Sequence, residues 1–437
     1  MKKLTYFILF MLLFAVAATA QDDVYPAPEY KGLLFITNGT VHTGTGQVLE
    51  NTTIQVTNGK IEKIGTNIPV PQGDVKVFDA KGKHIYPGLI LPDCDLGLRE
   101  IASGVRGSND YRELGELNPN IRSIVSYNTD SKIINTLKAN GILLANVSPQ
   151  GSFMSGSSSV VQLDAWNWED AAYKTDNGIH VTFPSFLPQR GGRFFMAAQP
   201  QTPVDAEKQA LQKIEELKSF FAEAKSYQQE TEHTQTNLKL AAVKGLFDKS
   251  QKLFIHADQV KQMLAAADFV KEFGFSVVIV GGSESWQIAP LLKQHNIAVI
   301  LGTEHELPAT EDEDVDQPYK TPAALQKAGV LFALNDNMDN TRFRNLSFNA
   351  GTAAAYGLTK EEALSAITLN AAKILGIDDK TGSLEVGKDA NIVVSEGDIL
   401  DMKSSIVTHA FIQGRLVSLA NKQTQLYERY KEKYGLK

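Results

Sequence analysis

The chain has 437 residues, 43% apolar and 21% charged, the make-up of an ordinary globular protein and more than one small core can use. Its formal net charge of −7, which becomes −9 without Lys2 and Lys3, excludes nucleic acid as an expected partner. Cys94 is the single cysteine, so no internal disulfide forms and stability must come from packing.

Residues 1–20 open on Lys2-Lys3, continue through an apolar run from Phe7 to Ala17 and end on the small-residue site Ala18-Thr19-Ala20. That pattern predicts a removable secretory signal and a periplasmic or secreted protein. The run is short and no basic stop follows it, which argues against a retained anchor, and no later segment reads as a membrane span. From 32 to 80, short β-rich runs such as Thr53-Ile54-Gln55-Val56 are punctuated by Asn38-Gly39 and Asn58-Gly59, the signature of hairpins in a small antiparallel sheet.

At 86–97 the pattern changes. Tyr86-Pro87-Gly88-Leu89-Ile90-Leu91-Pro92 reads as a buried strand ending in Asp93-Cys94-Asp95. Alternation along a strand would place Asp93 and Asp95 on one face and Cys94 on the other. Two acids at the end of an apolar run require a cation or a basic partner. Cys94, facing away, reads as a small buried hydrophobe.

Amphipathic and apolar segments then alternate. Residues 131–140 predict a helix and 142–147 a strand, and 160–163 and 180–183 predict two more strands flanking a small-residue loop at 151–159. Residues 205–249 predict a solvated helical hairpin with its connection at 228–236. Further strand and helix pairs begin at Leu253, Ser276 and Ile297, an acidic loop lies at 311–314, and a last strand at 330–334 ends in Asn335-Asp336-Asn337. About eight such units over 86–381 fit a (β/α)₈ barrel, and an open doubly wound sheet fits the same pattern. Either places the chemistry at strand C-terminal ends. Residues 382–420 return to strands that complete the sheet begun at 30–85, and 421–437 form a helical tail whose tyrosines are expected to pack.

Several stretches are similar to the metal-dependent amidohydrolase superfamily, closest to imidazolonepropionase-type members. They are Thr37-Asn38-Gly39-Thr40-Val41, Asp79-Ala80-Lys81-Gly82-Lys83-His84-Ile85-Tyr86-Pro87-Gly88, Thr368-Leu369-Asn370-Ala371-Ala372 and Gly382-Ser383-Leu384-Glu385-Val386-Gly387-Lys388-Asp389-Ala390. The resemblance implies a (β/α)₈ TIM barrel with a small β-sandwich built from both chain ends. It also implies hydrolysis of a carbon–nitrogen bond in a small-molecule substrate, using water activated by one or two divalent metals.

Asp93 and Asp95 stand where the family carries His-x-His, and His256 and Asp336 fit a retained histidine and the last-strand aspartate. Gly281 or Gly282 stands where another histidine is expected, and for a bridging ligand only His180, Lys174 and Glu169 offer themselves. On this resemblance Asp93, Asp95 and His256 would hold metal, manganese or magnesium in preference to zinc, and Asp336 would carry the proton to the leaving nitrogen. The alternative is a catalytically silent barrel without metal, in which His256 is a hydrogen-bonded strand-end residue and Asp336 a cap. Such a barrel would bind a ligand or partner, as a homo-oligomer or paired with an active homologue. Glu304 and His305 follow another strand and could face the same mouth, while Trp166 and Trp168 read as core or rim.

Overall fold

The structure, a computed structural model, describes residues 24–100, 109–188, 202–230, 232–308, 312–336 and 340–436. The segment read as a secretory signal lies outside the described residues, as do Glu311 and Asn337. Five strands open the chain: β1 (Leu33–His42), β2 (Val48–Thr57), β3 (Lys60–Gly65), β4 (Val75–Asp79) and β5 (His84–Pro87). The next eight are β6 (Leu89–Cys94), β7 (Ile142–Val147), β8 (Met154–Gln162), β9 (Ala172–Thr182), β10 (Lys252–Ala257), β11 (Val277–Gly281), β12 (Ala298–Leu301) and β13 (Phe332–Leu334). Three close the chain: β14 (Ile392–Ser395), β15 (Val407–Ile412) and β16 (Arg415–Val417).

Strands β6 to β13 form one sheet in sequential order that curls into a nearly closed, TIM-like barrel. Their core residues, such as Ile90, Leu144, Val161, Ile179, Ile255, Ile279, Ile300 and Phe332, are fully buried, as strands covered on both faces must be. The sheet ends β13 and β6 meet through a side chain: the Asn335 amide donates to the Asp93 carbonyl at 2.8 Å. The barrel departs from eight strand–helix repeats in one place. β8 runs antiparallel to both β7 and β9, so the small-residue segment expected to be a loop is largely strand.

The reason lies in its serines. Ser157 donates to Asp176 at 2.8 Å, Ser158 donates to Asn177 at 2.9 Å, and Ser159 accepts from the Asp176 backbone N–H at 3.0 Å. Polar partners on β9 thus satisfy hydroxyls that would otherwise disfavour a buried strand. At Gly178 an added Cβ would lie 2.2 Å from the Phe254 ring, so β9 can press against β10 only through a glycine.

The remaining eight strands form a second sheet, separate from the barrel, ordered β16-β15-β14-β5-β1-β2-β3 with β4 beside β1. β5 is its join, parallel to β1 and antiparallel to β14, so both chain ends are needed to build it. It buries its own apolar cluster of Ile36, Val41, Ile54, Val56, Ile85, Ile392 and Val394. The tail helix, Lys422–Lys433, buries none of its residues, and Tyr427, Tyr430 and Tyr434 are exposed, contrary to the expectation that they pack.

At the N-terminal end of the barrel, Lys252 donates to the carbonyls of Ile374 (2.6 Å) and Lys373 (3.0 Å), and Lys174 to that of Gly376 (2.9 Å). Both ammonium groups cap the C-terminus of the helix Leu369–Leu375, where orphan carbonyls and the helix dipole favour positive charge. Burial first, then the neighbouring Lys174, pushes Lys252 down to about 8. The unfolded chain therefore binds more protons than the folded one between that value and the ordinary lysine range. Lys252 accordingly makes folding stability rise as pH goes from about 8 to about 10.4. Thermal unfolding of wild type and Lys252→Met across this window should show the wild type gaining on the variant by about 2–4 kcal/mol as pH rises. A constant difference would contradict the assignment.

Candidate metal centre

Asp93 and His256 are the penultimate residues of β6 and β10, and His180 lies near the end of β9. Although β6 and β9 are not neighbours in the sheet, barrel curvature brings their side chains together across the interior. One donor atom each of Asp93, His180 and His256 lies within 4.8 Å of the others, the only such cluster among the described residues. The Nδ1 of His180 and Nε2 of His256 are 3.0 Å apart, and Asp93 Oδ1 is 3.7 Å from His180 Nδ1. Ligand atoms around a tetrahedral zinc at about 2.0–2.1 Å would stand about 3.3 Å apart, a spacing these two distances bracket.

The surroundings hold each group in place. The Ser148 hydroxyl, just beyond β7, donates to Asp93 Oδ1 at 2.6 Å and accepts from the Gln150 amide at 3.1 Å. His180 stacks on Phe254, its register partner on β10, with ring centroids 4.7 Å apart and planes 4° from parallel. Burial raises the proton affinity of Asp93, against the opposing pull of His256 and the Ser148 hydrogen bond. Burial, then His256, pushes His180 well below the ordinary histidine range, so its ring stays neutral and can act as a ligand. His180 Nε2, the ring nitrogen that does not face Asp93 and His256, is fully buried with no partner.

Asp95, predicted to join Asp93, is turned elsewhere: its Oδ2 pairs with Arg99 Nε at 2.9 Å. Two irregularities break the alternation on which that expectation rested. The β6–β7 register slips between Leu91 and Cys94, around Pro92, and β6 ends at Cys94, beyond which the Asp95 carbonyl accepts from the Leu98 and Arg99 N–H groups. A Cβ at Gly97, whose φ is +71°, would meet Tyr127 at 2.7 Å, which fixes this turn. Cys94 points away from the cluster with its Sγ 3.5 Å from the Asn146 carbonyl, and burial holds its thiol protonated.

Asp336 follows β13 and is fully buried, accepting from Thr303 at 3.2 Å and Asn349 at 3.3 Å, but lies outside the three-residue cluster. Of the weak bridging candidates only His180 reaches the centre. Lys174 sits at the opposite end of the barrel, and Glu169 lies in the short helix Trp168–Ala171. Ser148 and Asn335 carried no signal in the sequence, because their roles come from strands distant in the chain. His305 is exposed and meets Thr352 at 2.9 Å, Trp166 is exposed, and Trp168 packs on the core.

Residues 280–417 match the family model described as the amidohydrolase family. The imidazolonepropionase of Thermoplasma volcanium is 24% identical over 374 residues, covering 82% of this chain and 88% of that protein. The one from Shewanella oneidensis is 26% identical over 365 residues, covering 77% and 85%. A crystal structure of an amidohydrolase from Thermotoga maritima MSB8 superposes with a TM-score of 0.75 at 27% identity, over 88% of this chain and 99% of that one. Together these likenesses support an amidohydrolase-superfamily protein. Within it the sequence is imidazolonepropionase-like. Its family-model match covers the last part of the barrel, from the end of β11 through β13, and strands β14 to β16 of the second sheet, but none of the segments that carry Asp93, His180 and His256. The superfamily's usual dependence on metal is compatible with an Asp/His/His centre here. Among the described residues no helix is long and apolar enough to cross a membrane.

Proposed function

We propose that the protein is an exported, metal-dependent hydrolase of non-peptide carbon–nitrogen bonds, with its ion held by Asp93, His180 and His256. The observation that carries this reading is the convergence of those donors from three strands in a buried setting at the barrel's C-terminal end. Two imidazoles and one carboxylate suit zinc or manganese better than magnesium. That differs from the oxygen-rich site expected from the sequence, because His180 takes the place intended for Asp95. A divalent ion there supplies Lewis acidity to the substrate carbonyl and to water.

The chain's own groups supply the rest. Ser148 keeps Asp93 oriented, the Phe254 stack fixes the His180 ring, and Asp336, oriented by Thr303 and Asn349, carries the proton to the leaving nitrogen. We read the second sheet as the superfamily's composite β-sandwich, and the start of the chain supports export.

One observation favours the silent-barrel reading. His180 Nδ1 and His256 Nε2 already bond each other, which occupies both nitrogens without an ion. Turnover decides. Metal-loaded protein should be assayed on a panel of cyclic and acyclic amides, with an imidazolone first because of the relatives' name. Hydrolysis by the wild type, falling by about 10²–10⁴ in Asp336→Asn at unchanged metal content, is the expected result. Equal turnover by wild type and Asp336→Asn would remove Asp336 from the mechanism, and no turnover on any member would favour the silent barrel.

A further inference from the structure

A cavity of about 380 Å³ opens between the helix Lys132–Lys138, the turn that follows β8 and residues 24–26. It shares no residue with the metal centre, and its size falls within the range of small-ligand sites, about 300–1,000 Å³. Two aromatic side chains belong to its lining. Trp166 is 62% exposed and Tyr25 66%, with ring centroids 6.0 Å apart and planes inclined by 35°. An indole left mostly in water is unusual, because tryptophan is on average highly buried, and neither Trp168 nor Trp286 is exposed in this way. The position is held from the backbone, since the Trp166 carbonyl accepts from the Thr129 hydroxyl at 3.3 Å. Side by side, the two rings make one aromatic surface that a ring-shaped ligand can cover.

The polar part of the lining narrows the ligand's chemistry. The side chains of Asp130, Lys132 and Asn135 have no hydrogen-bond or ion-pair partner among the described residues. With Asp164 and Lys138, which pair with each other at 2.8 Å, the lining holds two carboxylates and two ammonium groups. It therefore carries no net charge, and an ionic ligand would meet like charge as readily as opposite charge. A purely apolar ligand would cover the rings but leave the amide, carboxylate and ammonium groups without partners. A neutral polyhydroxylated ring satisfies both parts. Its C–H face covers the aromatic surface, and its hydroxyls, each donor and acceptor at once, meet Asn135, Asp130 and Lys132.

We propose that this cavity is a saccharide-binding site, taking a pyranose ring of a neutral oligosaccharide with Trp166 and Tyr25 as the stacking surface and Asn135 as a hydrogen-bonding group. This goes beyond the hydrolase reading, because the site binds sugar whether or not the metal centre turns over.

Tryptophan fluorescence and titration calorimetry on the purified protein with cellotriose, maltotriose and triacetylchitotriose test this, with hexaproline as the peptide control. At least one saccharide should saturate at one per chain and shift the tryptophan emission, since Trp166 is the exposed indole. Hexaproline, which also packs on aromatic surfaces but offers no hydroxyls, should not saturate in the same range. Trp166→Ala should weaken saccharide binding by about thirtyfold or more, as loss of a tryptophan anchor does, and should remove the emission shift. Asn135→Ala should weaken it several-fold. Neither side chain is buried, so both variants are expected to fold, which circular dichroism checks. Absence of saturable binding by all three saccharides, equal or tighter binding of hexaproline, or undiminished binding by Trp166→Ala would overturn the proposal. Binding does not depend on turnover, so this outcome and that of the hydrolase assay are separable.

Discussion

Asp164→Ala is expected to destabilise the folded chain by about 3–5 kcal/mol, the cost of leaving buried charge without its partner. Asp164 is 2% exposed and sits where three parts of the molecule meet. Its Oδ1 accepts from Lys138 at 2.8 Å, on the helix Lys132–Lys138 that precedes β7. Its Oδ2 accepts from the Ala27 N–H at 2.8 Å, in the segment leading to the second sheet, and pairs with Arg415 of β16 at 3.3 Å. Arg415 also donates to the carbonyls of Ala27 and Asp164 and to Gln162.

Removal of the carboxylate strands Lys138, which is only 2% exposed, and loosens the contact between barrel and sheet. Urea unfolding followed by tryptophan fluorescence should show a lower midpoint for Asp164→Ala and a smaller drop for Asp164→Asn, which keeps one acceptor oxygen. A midpoint equal to wild type for Asp164→Ala would mean that Lys138 and Arg415 find other partners.

The second large effect concerns the centre itself. His180→Ala should reduce affinity for zinc or manganese by more than about a hundredfold, because loss even of groups that merely support a ligand costs about 10–100-fold. Asp95→Ala should leave affinity unchanged, since that carboxylate is committed to Arg99. The pair of variants separates the observed geometry from the sequence expectation, which gave Asp95 the ligand role and His180 only a weak bridging one. Competition titration against a chromophoric chelator measures both. Loss of metal in Asp95→Ala with retention in His180→Ala would reverse the assignment.

The barrel was legible in the chain because its strands are short apolar runs between amphipathic helices, and local periodicity reports that directly. The second sheet was legible from its β-rich runs and the Asn58-Gly59 turn between β2 and β3, whereas Asn38-Gly39, expected as a second turn, forms a bulge inside β1. What local pattern could not show was β8, whose serines look like a loop until Asp176 and Asn177 are known to lie opposite them. The same holds at the centre. Asp93 and His256 stood out because each ends an apolar strand, whereas His180 lies inside one and its value depends on curvature that brings β9 across from β6. Asp95 misled because alternation was extended past a register slip at Pro92 and past the strand's end. Glu304 was placed at the mouth by its position after a strand, but its lack of a partner is a property of the packed structure alone.

The proposed divalent ion of this barrel is held by Asp93, His180 and His256. Elemental analysis of the protein, purified without chelator, offered zinc, manganese and magnesium and then dialysed, tests it most directly. That coordination predicts one zinc or manganese per chain in the wild type and none in Asp93→Ala or His256→Ala. A wild type that retains no stoichiometric ion, or one that both variants retain equally, would contradict it.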